Sequence, residues 1–247
     1  MASPQNGLGF EDQTALVTGA TAGIGRAIAL QLARDGAAVV VHGRDAARGR
    51  EVVASIADAG GRARFVGGEL SDPDDVRRVA EAAGDVDVLV NNAGFSWFGP
   101  TSAMDLATYD AMFAANVRSA FLLVAALAPG MVRRGRGSIV SISSAGGQVA
   151  LEAGAAYAAT KASLEAFTRC WAAEYGPSGV RVNAVAAGPT YTRPEGREAT
   201  EAFGADTLLR RVAEVEEVAS VVAFVASPRA SYVTGSVIAS DGGRTVR

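Results

Sequence analysis

The sequence predicts an α/β fold in which a mostly parallel sheet is buried on both faces. Seven short apolar runs alternate with six longer segments of helical periodicity. The runs are continuously apolar, which is typical of strands covered on both sides. Strands that alternate with helices indicate βαβ units with right-handed crossovers. No linker or repeat interrupts the pattern, so residues 1–247 are interpreted as one domain, with residues 1–12 as a loose N-terminal arm.

The elements follow one another in a regular order. The predicted strands lie at residues 15–17, 38–41, 64–66, 86–90, 138–142, 180–185 and 236–239. The predicted helices lie at residues 24–35, 45–59, 73–83, 105–134, 155–175 and 214–226. The third helix has the clearest start signal, because Asp72 suits its N-cap, Pro73 suits its first position and acids occupy its first turn.

Composition and charge narrow the class of protein. The chain has 247 residues, of which 49% are hydrophobic and 20% charged, and this argues against disordered, collagen-like and coiled-coil proteins. A net charge of -3 argues against a nucleic-acid-binding domain. One cysteine cannot form an internal disulfide, the longest apolar stretch is too short to span a membrane, and no secretory signal is visible. We therefore expect a cytoplasmic protein without membrane or nucleic-acid partners.

A glycine-rich segment joins the first strand to the first helix. It contains Gly19, Gly23 and Gly25. Glycine permits tight turns and a close approach of the backbone to a pyrophosphate, and a helix N-terminus favours negative charge. The alternative is a glycine-rich turn without a ligand, but the position between a first strand and a first helix favours a nucleotide site.

Tyr157 and Lys161 are four residues apart in a predicted helix and therefore share one face. A free phenol has a pKa of about 10, which is too high for proton transfer near neutral pH. A neighbouring ammonium favours the phenolate, so we expect the pKa of Tyr157 to be lowered. Taken alone, a Tyr-x3-Lys pair is common and mostly indicates a packed tyrosine beside a solvated lysine.

Three motifs occur in order: Thr18-Gly-x3-Gly-x-Gly25, Asn91-Asn92-Ala93-Gly94 and Tyr157-x3-Lys161. With them the chain resembles the short-chain dehydrogenase/reductase family, in its short single-domain branch, from about residue 12 to residue 243. The resemblance implies a Rossmann-type doubly wound parallel sheet of seven strands in the order 3-2-1-4-5-6-7, with helices on both faces. It also implies a nucleotide bound outside the carboxyl ends of the strands.

The resemblance implies a catalytic set of Asn116, Ser144, Tyr157 and Lys161. In such a set the serine polarises a substrate carbonyl and the tyrosine transfers the proton. The lysine tunes the phenol and binds the nicotinamide ribose, and the asparagine holds a water that links the lysine to solvent. Ser143 competes for the serine role, but the spacing to the tyrosine favours Ser144. Asn116 is also conspicuous on its own, because asparagine is unfavourable inside a helix.

Cofactor-binding residues are expected, by the same resemblance, at the strand ends. They are Gly19, Thr21, Gly23, Ile24, Gly25, Arg44, Glu69, Leu70, Asn92, Ala93, Gly94, Tyr157, Lys161, Gly188, Thr190 and Thr192. Gly43 stands where NAD-preferring relatives carry an acid, and Arg44 follows it, so we expect NADP(H) to be favoured over NAD(H). Asp45 is evidence against this unless it caps the next helix. Glu69 stands where the family usually has Asp, and its carboxylate could accept a hydrogen bond from the adenine amino group.

The substrate side is less specific. Apolar and aromatic loop residues suit a hydrophobic ketone or alcohol, although such residues also pack over their own loops. The candidates are Trp97, Phe98, Gln148, Leu151 and Tyr191. The polar segment 193–207 is interpreted as a mobile substrate lid. His42, the single histidine, is expected to be structural or to lie near the adenine rather than to be catalytic.

These expectations predict an oxidoreductase that transfers a hydride between NADP(H) and a ketone or secondary alcohol, without a metal. One alternative is a 3-oxoacyl (acyl-carrier-protein) reductase-like activity, and another is a non-catalytic nucleotide-sensing protein. An enoyl reductase of the same fold is disfavoured, because those relatives space the tyrosine and lysine more widely. The helices at 105–134 and 155–175 are more apolar than one buried face requires, which predicts a homo-oligomer, and the resemblance favours a homotetramer.

Overall fold

The seven strands form one sheet in which every pairing is parallel, in the order β3-β2-β1-β4-β5-β6-β7. The computed structural model describes residues 8–192 and 197–246. Both the Rossmann-type fold class and the strand order predicted from the sequence are confirmed. The strands are β1 (Thr14–Val17), β2 (Ala38–Gly43), β3 (Arg62–Gly67), β4 (Val88–Asn91), β5 (Gly137–Ser144), β6 (Val180–Ala187) and β7 (Val237–Ser240).

Eight α-helices lie in the described part of the chain. They are α1 (Gly23–Arg34), α2 (Ala46–Asp58), α3 (Pro73–Ala83), α4 (Leu106–Phe113), α5 (Ser119–Arg134), α6 (Ala155–Tyr175), α7 (Arg197–Ala205) and α8 (Val215–Ala226). The segment predicted as one helix over 105–134 is continuous but not uniform, because a π-helical turn at Ala114–Arg118 separates α4 from α5.

The core consists of two layers, one on each face of the sheet. One layer joins α1, α2 and α8 to the strands through residues such as Ile28, Val52 and Val222. The other joins α3, α5 and α6 through residues such as Val79 and Leu123. Consecutive strand residues alternate between the layers, which explains why both parities of each strand are apolar.

The N-terminal arm is only partly open to description. Residues 1–7 lie outside the described residues. Phe10, however, is fully buried in the core layer of α1 and α8, and the Gln13 amide donates to the Gly9 carbonyl at 3.0 Å. Phe10 therefore anchors the end of the arm, because an aromatic side chain gains more from burial than from exposure. Glu11 and Asp12 are exposed, and the looseness of the rest of the arm stays a prediction.

The segment Leu106–Arg134 is long and apolar enough to cross a membrane by length and composition, with a mean hydropathy of 1.7. Half of its most apolar window is buried within the fold, where Leu123 and Met131 pack against the sheet. The apolar character is thus explained by the position of this helix over a sheet face.

The predicted lid, residues 193–207, is described only in part. Residues 193–196 lie outside the described residues, and most of the rest forms α7. The base of α7 is held by Thr207, whose buried hydroxyl donates to the Gly204 carbonyl at 2.9 Å. The mobility of this segment stays a prediction.

Candidate active site

The glycine-rich loop lies at the carboxyl edge of the sheet, between β1 and α1. Gly19 and Gly23 have positive φ angles of 62° and 52°, a backbone conformation that glycine adopts without strain. A Cβ on Gly25 would lie 2.3 Å from the Gly19 carbonyl oxygen. The N-cap of α1 is Ala22, which offers no side-chain hydrogen bond. The first amides of α1 therefore remain available to a phosphate.

Thr18 holds this loop against the loop after β4. Its hydroxyl accepts from the amides of Asn92 and Ala93 at 2.9 and 3.0 Å and donates to the Val90 carbonyl at 3.1 Å. The Asn92 amide group returns two bonds, to the carbonyls of Thr18 and Gly19, at 2.8 and 3.2 Å. The sheet order reverses between these two loops, so the crevice for a nucleotide is rigidly framed.

His42 connects the glycine-rich loop to the loop after β3. The Gly19 amide donates to His42 Nδ1 at 3.4 Å, so the ring proton lies on Nε2, 3.2 Å from the Gly68 carbonyl. Burial lowers the pKa of His42 to about 4, although the bond to Gly68 opposes the shift. The ring is thus neutral at physiological pH, as expected for a structural residue.

Ser144, Tyr157 and Lys161 come together where β5 ends beside α6. The Ser144 hydroxyl lies close enough to the Tyr157 hydroxyl to lower the pKa of the phenol. Lys161 is buried, and its ammonium donates to the Ile142 carbonyl at 2.8 Å and lies 5.7 Å from the centre of the Tyr157 ring. Residues from two elements therefore present a hydroxyl pair over a buried cation.

The electrostatics of this group differ from the sequence expectation. Burial raises the pKa of Tyr157, and the bond with Ser144 offsets this only in part. Burial also lowers the pKa of Lys161 to about 8. The expected lowering of the phenol pKa is thus not found in the chain alone, because the loss of water on burial outweighs the bond with Ser144. A phenol that keeps its proton is suited to donating it.

Asn116 lies in the π-helical turn and is buried. Its Oδ1 accepts from the Phe95 amide at 2.9 Å, and its Nδ2 donates to the Phe95 carbonyl at 2.9 Å and to the Thr160 hydroxyl at 3.1 Å. π-helical turns are frequent at functional sites. The observed contacts fix the loop after β4 to α6, and the expected water-holding role stays a prediction.

Gly94 makes that contact possible, since a Cβ there would lie 2.6 Å from Asn116 Oδ1. Thr160 extends the connection, because its hydroxyl donates to the Tyr157 carbonyl at 2.7 Å. The sequence reasoning did not single out Thr160. A polar residue beside Tyr157 on the buried face of α6 was the available signal.

The candidate substrate residues separate into two groups. The Phe98 ring centre lies 5.8 Å from that of Tyr157. Leu151 packs where Cβ atoms on Gly146 and Gly154 would meet it at 2.8 and 2.7 Å, so it lies near Ser144. Phe98 and Leu151 thus border the catalytic hydroxyls.

The other three candidates point elsewhere. Trp97 lines a cavity of about 490 Å³ with Tyr109 and Ala159. Ala155 and Ala156 of α6 line the same cavity. Gln148 donates to Glu165 at 3.2 Å, and the Tyr191 hydroxyl donates to Glu201 of α7 at 3.2 Å.

Glu165 is a buried acid that the sequence reasoning missed. It accepts from the Ser143 hydroxyl at 2.7 Å as well as from Gln148. Ser143, the competitor for the serine role, is therefore engaged with Glu165, about two turns along α6 from Tyr157. An acid one turn beyond Lys161, on the same face of α6, was the available signal.

The residues after β2 and β3 lie where the sequence predicts the adenosine side of the crevice. Arg44 Nη1 lies 3.1 Å from Glu69 Oε2. Asp45 caps α2, because its Oδ1 accepts from the amides of Ala47 and Arg48 at 2.9 and 3.1 Å. Asp45 therefore has a structural role, which removes the evidence against Arg44 as a phosphate ligand. Leu70 is buried behind this pair.

Gly43 is constrained by the glycine-rich loop. A Cβ at Gly43 would lie 2.4 Å from the Thr21 methyl group, so no larger residue fits there without a shift of Thr21. On the opposite wall, Thr192 lies 3.2 Å from a Cβ built on Gly23. The Thr190 hydroxyl donates to the Gly188 carbonyl at 2.9 Å. These residues enclose the predicted phosphate position.

Comparisons with known proteins identify the family of this chain. The family model described as enoyl-(acyl carrier protein) reductase matches residues 19–245. The cis-4-hydroxycyclohexanecarboxylate dehydrogenase of Sinomonas cyclohexanicum is 39% identical, over 97% of this chain and 99% of that protein. The chain belongs to the short-chain dehydrogenase/reductase family.

Solved structures of similar chains support the assignment. The crystal structure of a candidate β-ketoacyl-ACP reductase has a TM-score of 0.90 and 47% identity, covering 96% of this chain and 100% of that one. A candidate NAD(P)-dependent gluconate 5-dehydrogenase from Beutenbergia cavernae, with NADP bound at low occupancy, has a TM-score of 0.92 and 38% identity, covering 97% and 99%. This short-chain dehydrogenase/reductase is therefore an oxidoreductase.

The family implies a nicotinamide nucleotide, and the residues present fit one. The glycines of the first loop leave a cradle that a Cβ would fill, and the uncapped N-terminus of α1 faces it. The buried ammonium of Lys161 lies beside the catalytic hydroxyls. Within residues 8–192 and 197–246, no group of three or more His, Cys, Asp or Glu side chains could hold a metal ion.

Proposed function

We propose that this chain is an NADP(H)-dependent carbonyl reductase or alcohol dehydrogenase that acts on a ketone or secondary alcohol. The observation that carries the proposal is the Ser144–Tyr157 hydroxyl pair above the buried Lys161, at the same sheet edge as the glycine-rich loop. A small-molecule carbonyl would thus meet a hydrogen-bond donor pair beside a nucleotide site.

The chain's own residues would act as follows. When bound, the nicotinamide nucleotide supplies or accepts the hydride. Ser144 and Tyr157 hydrogen-bond the substrate oxygen, and Tyr157 donates its proton as negative charge develops there. Lys161 then stabilises the phenolate and binds the ribose hydroxyls, while Phe98 and Leu151 limit the access of water.

The proposed activity is tested with a panel of ketones and secondary alcohols, by the absorbance of the reduced nicotinamide. Turnover of any of them supports the proposal. An α,β-unsaturated thioester tests C=C reduction, as in an enoyl reductase. Nucleotide binding without any turnover would instead favour a nucleotide-sensing protein.

A second candidate is a 3-oxoacyl (acyl-carrier-protein) reductase. The similarity to a candidate β-ketoacyl-ACP reductase, at 47% identity, supports it. Arg133 and Arg134 are basic, but Arg134 is engaged with Asp85 at 2.7 Å. The discriminating measurement is kcat/KM for a 3-oxoacyl group on a carrier protein against the same group on a short thiol. A preference of at least tenfold for the carrier would favour this candidate.

The preference for NADP(H) rests on Arg44. A guanidinium on a 2′-phosphate makes charge-assisted bonds, each of about 1.5–3 kcal/mol. We expect Arg44→Ala to lower kcat/KM for NADPH by about 10–100-fold, because NADPH binds more weakly, and to change kcat/KM for NADH little. Equal effects on both cofactors, or a wild type that prefers NADH, would contradict the cofactor assignment.

The same reasoning suggests converting the preference by adding Gly43→Asp to Arg44→Ala, since a carboxylate repels the phosphate and accepts from ribose hydroxyls. The close approach of Thr21 to Gly43 requires a third change, Thr21→Gly, to make room for the new side chain. Comparison of the double and triple variants separates the steric effect from the electrostatic one.

A further inference from the structure

Arg44 and Glu69 are neighbours because their strands are neighbours. β2 and β3 pair in register up to Gly43 and Gly67, so the residues that follow emerge side by side at the carboxyl edge. Arg44 Nη1 and Glu69 Oε2 are 3.1 Å apart, and the two side chains are 77% and 44% exposed. The pair is thus formed at the surface where the adenosine half of a nucleotide is proposed to bind.

Glu69 is held in place by its own loop. Its Oε1 accepts from the Ser71 amide at 3.1 Å, and its backbone amide donates to Asp75 at 2.7 Å. Burial raises the pKa of Glu69, but the bonds from Ser71 and Arg44 outweigh it and hold the pKa below its ordinary value. The carboxylate is therefore ionised at neutral pH.

The other nearby acids have arginines of their own. Asp45 pairs with Arg48 at 3.4 Å, and Asp75 pairs with Arg78. Within the described part of the chain, Glu69 is the acid that contacts Arg44.

We propose that Glu69 is a specificity-determining residue that limits how strongly Arg44 favours a 2′-phosphate, an inference that rests on the proposed cofactor role of Arg44. A 2′-phosphate that binds Arg44 must share the guanidinium with the Glu69 carboxylate. The phosphate is also repelled by that carboxylate, since both groups are negatively charged. A nucleotide with a free 2′-hydroxyl meets neither cost. Glu69 thus reduces the difference in binding affinity between NADP(H) and NAD(H), so that the chain can use both cofactors.

The experiment uses nicotinamide-free probes, so that catalysis does not enter. Adenosine 2′,5′-bisphosphate and AMP differ by the 2′-phosphate alone, and their dissociation constants are measured by calorimetry. The variant is Glu69→Gln, which keeps an oxygen for the Ser71 amide but removes the charge. We expect it to bind the bisphosphate about 3–10-fold more tightly and AMP within about twofold of wild type. The gain should shrink at high salt, because the groups are partly exposed.

A matched control removes one carboxylate elsewhere. Asp85→Asn makes the same change in net charge and lies before β4, at the opposite edge of the sheet, where Asp85 pairs with Arg134. It should leave both dissociation constants unchanged. In an Arg44→Ala background, Glu69→Gln should alter bisphosphate binding by less than in wild type, because the shared guanidinium is gone.

The outcomes separate the two hypotheses. If Glu69→Gln weakens both probes alike, Glu69 contacts the adenine instead and the inference is overturned. If Arg44→Ala weakens the bisphosphate but Glu69→Gln does not tighten it, the inference fails and the cofactor role of Arg44 stands. If Arg44→Ala weakens neither probe, both fail. If Asp85→Asn tightens binding of the bisphosphate as much as Glu69→Gln does, the effect comes from net charge and not from the position of Glu69. That result would also overturn the inference.

Discussion

At the scale of single residues, Tyr157 is the group whose hydroxyl does the proposed chemistry, while its ring packs beside Phe98. We expect Tyr157→Phe to lower kcat by about 10²–10⁴-fold with nucleotide binding nearly intact, because the proton donor is removed and the ring remains. Steady-state kinetics and nucleotide titration check this. Tyr232→Phe, at a fully exposed tyrosine, is the matched control. A variant that kept more than half of the activity would refute the assignment.

His42 gives a second residue-scale prediction. The pKa of His42 is about 4 in the folded chain and about 6.5 in the unfolded chain. Between pH 4 and pH 6.5 the unfolded chain therefore binds a proton at His42 that the folded chain does not bind. The free energy of unfolding should therefore fall as the pH drops from about 6.5 to 4, by up to about 3 kcal/mol from this residue. His42→Asn should lessen this dependence in denaturant titrations at pH 7 and pH 4.5.

The protonation of His42 can be followed directly by NMR, because the chain contains a single histidine. Its imidazole proton signal in NMR should not shift between pH 8 and about pH 5. A titration midpoint near 6.5 would show that the ring is solvated and not bound between Gly19 and Gly68.

At the scale of elements, Arg181 of β6 fixes the end of α8. Its guanidinium donates to the carbonyls of Val225, Ala226 and Ser227 at 2.8, 2.9 and 2.9 Å. Because Arg181→Ala leaves these helix-terminal carbonyls without their donors, we expect a loss of about 2–4 kcal/mol in the free energy of unfolding. Chemical denaturation measures it, with Arg50→Ala at an exposed position of α2 as the control. A loss below about 0.5 kcal/mol would contradict this role.

At the scale of the whole molecule, an aromatic cluster on α5 and α6 remains partly uncovered. Phe121 is 47% exposed, and its ring centre lies 5.8 Å from Phe167 and 6.3 Å from Trp171. Such a cluster at the surface favours contact with a second copy. We propose a homotetramer, working in the cytoplasm, and expect Phe121→Glu to dissociate it.

Light scattering and sedimentation test the assembly, with Ala57→Glu on the exposed side of α2 as the control that should leave it intact. A stable wild-type particle of 25.1 kDa at micromolar concentration would refute the proposal.

The order and type of nearly every element, and the family motifs, are predictable from the sequence. Continuous apolar runs, glycine positions and the start signal at Asp72 and Pro73 are local patterns, and local patterns are visible in one dimension. The four-residue step from Tyr157 to Lys161 likewise sets one helix face without reference to the rest of the chain.

The groups that these residues contact are set by long-range packing and are not predictable from local sequence. Trp97 lines a cavity with Tyr109 and Ala159, Gln148 contacts Glu165, and Arg44 forms an ion pair with Glu69. The π-helical turn at Asn116 and the raised pKa of Tyr157 also depend on packing. The physical reason is common to all of them: contact and burial join residues far apart in the chain, and no local pattern records which distant groups exclude water or supply a charge.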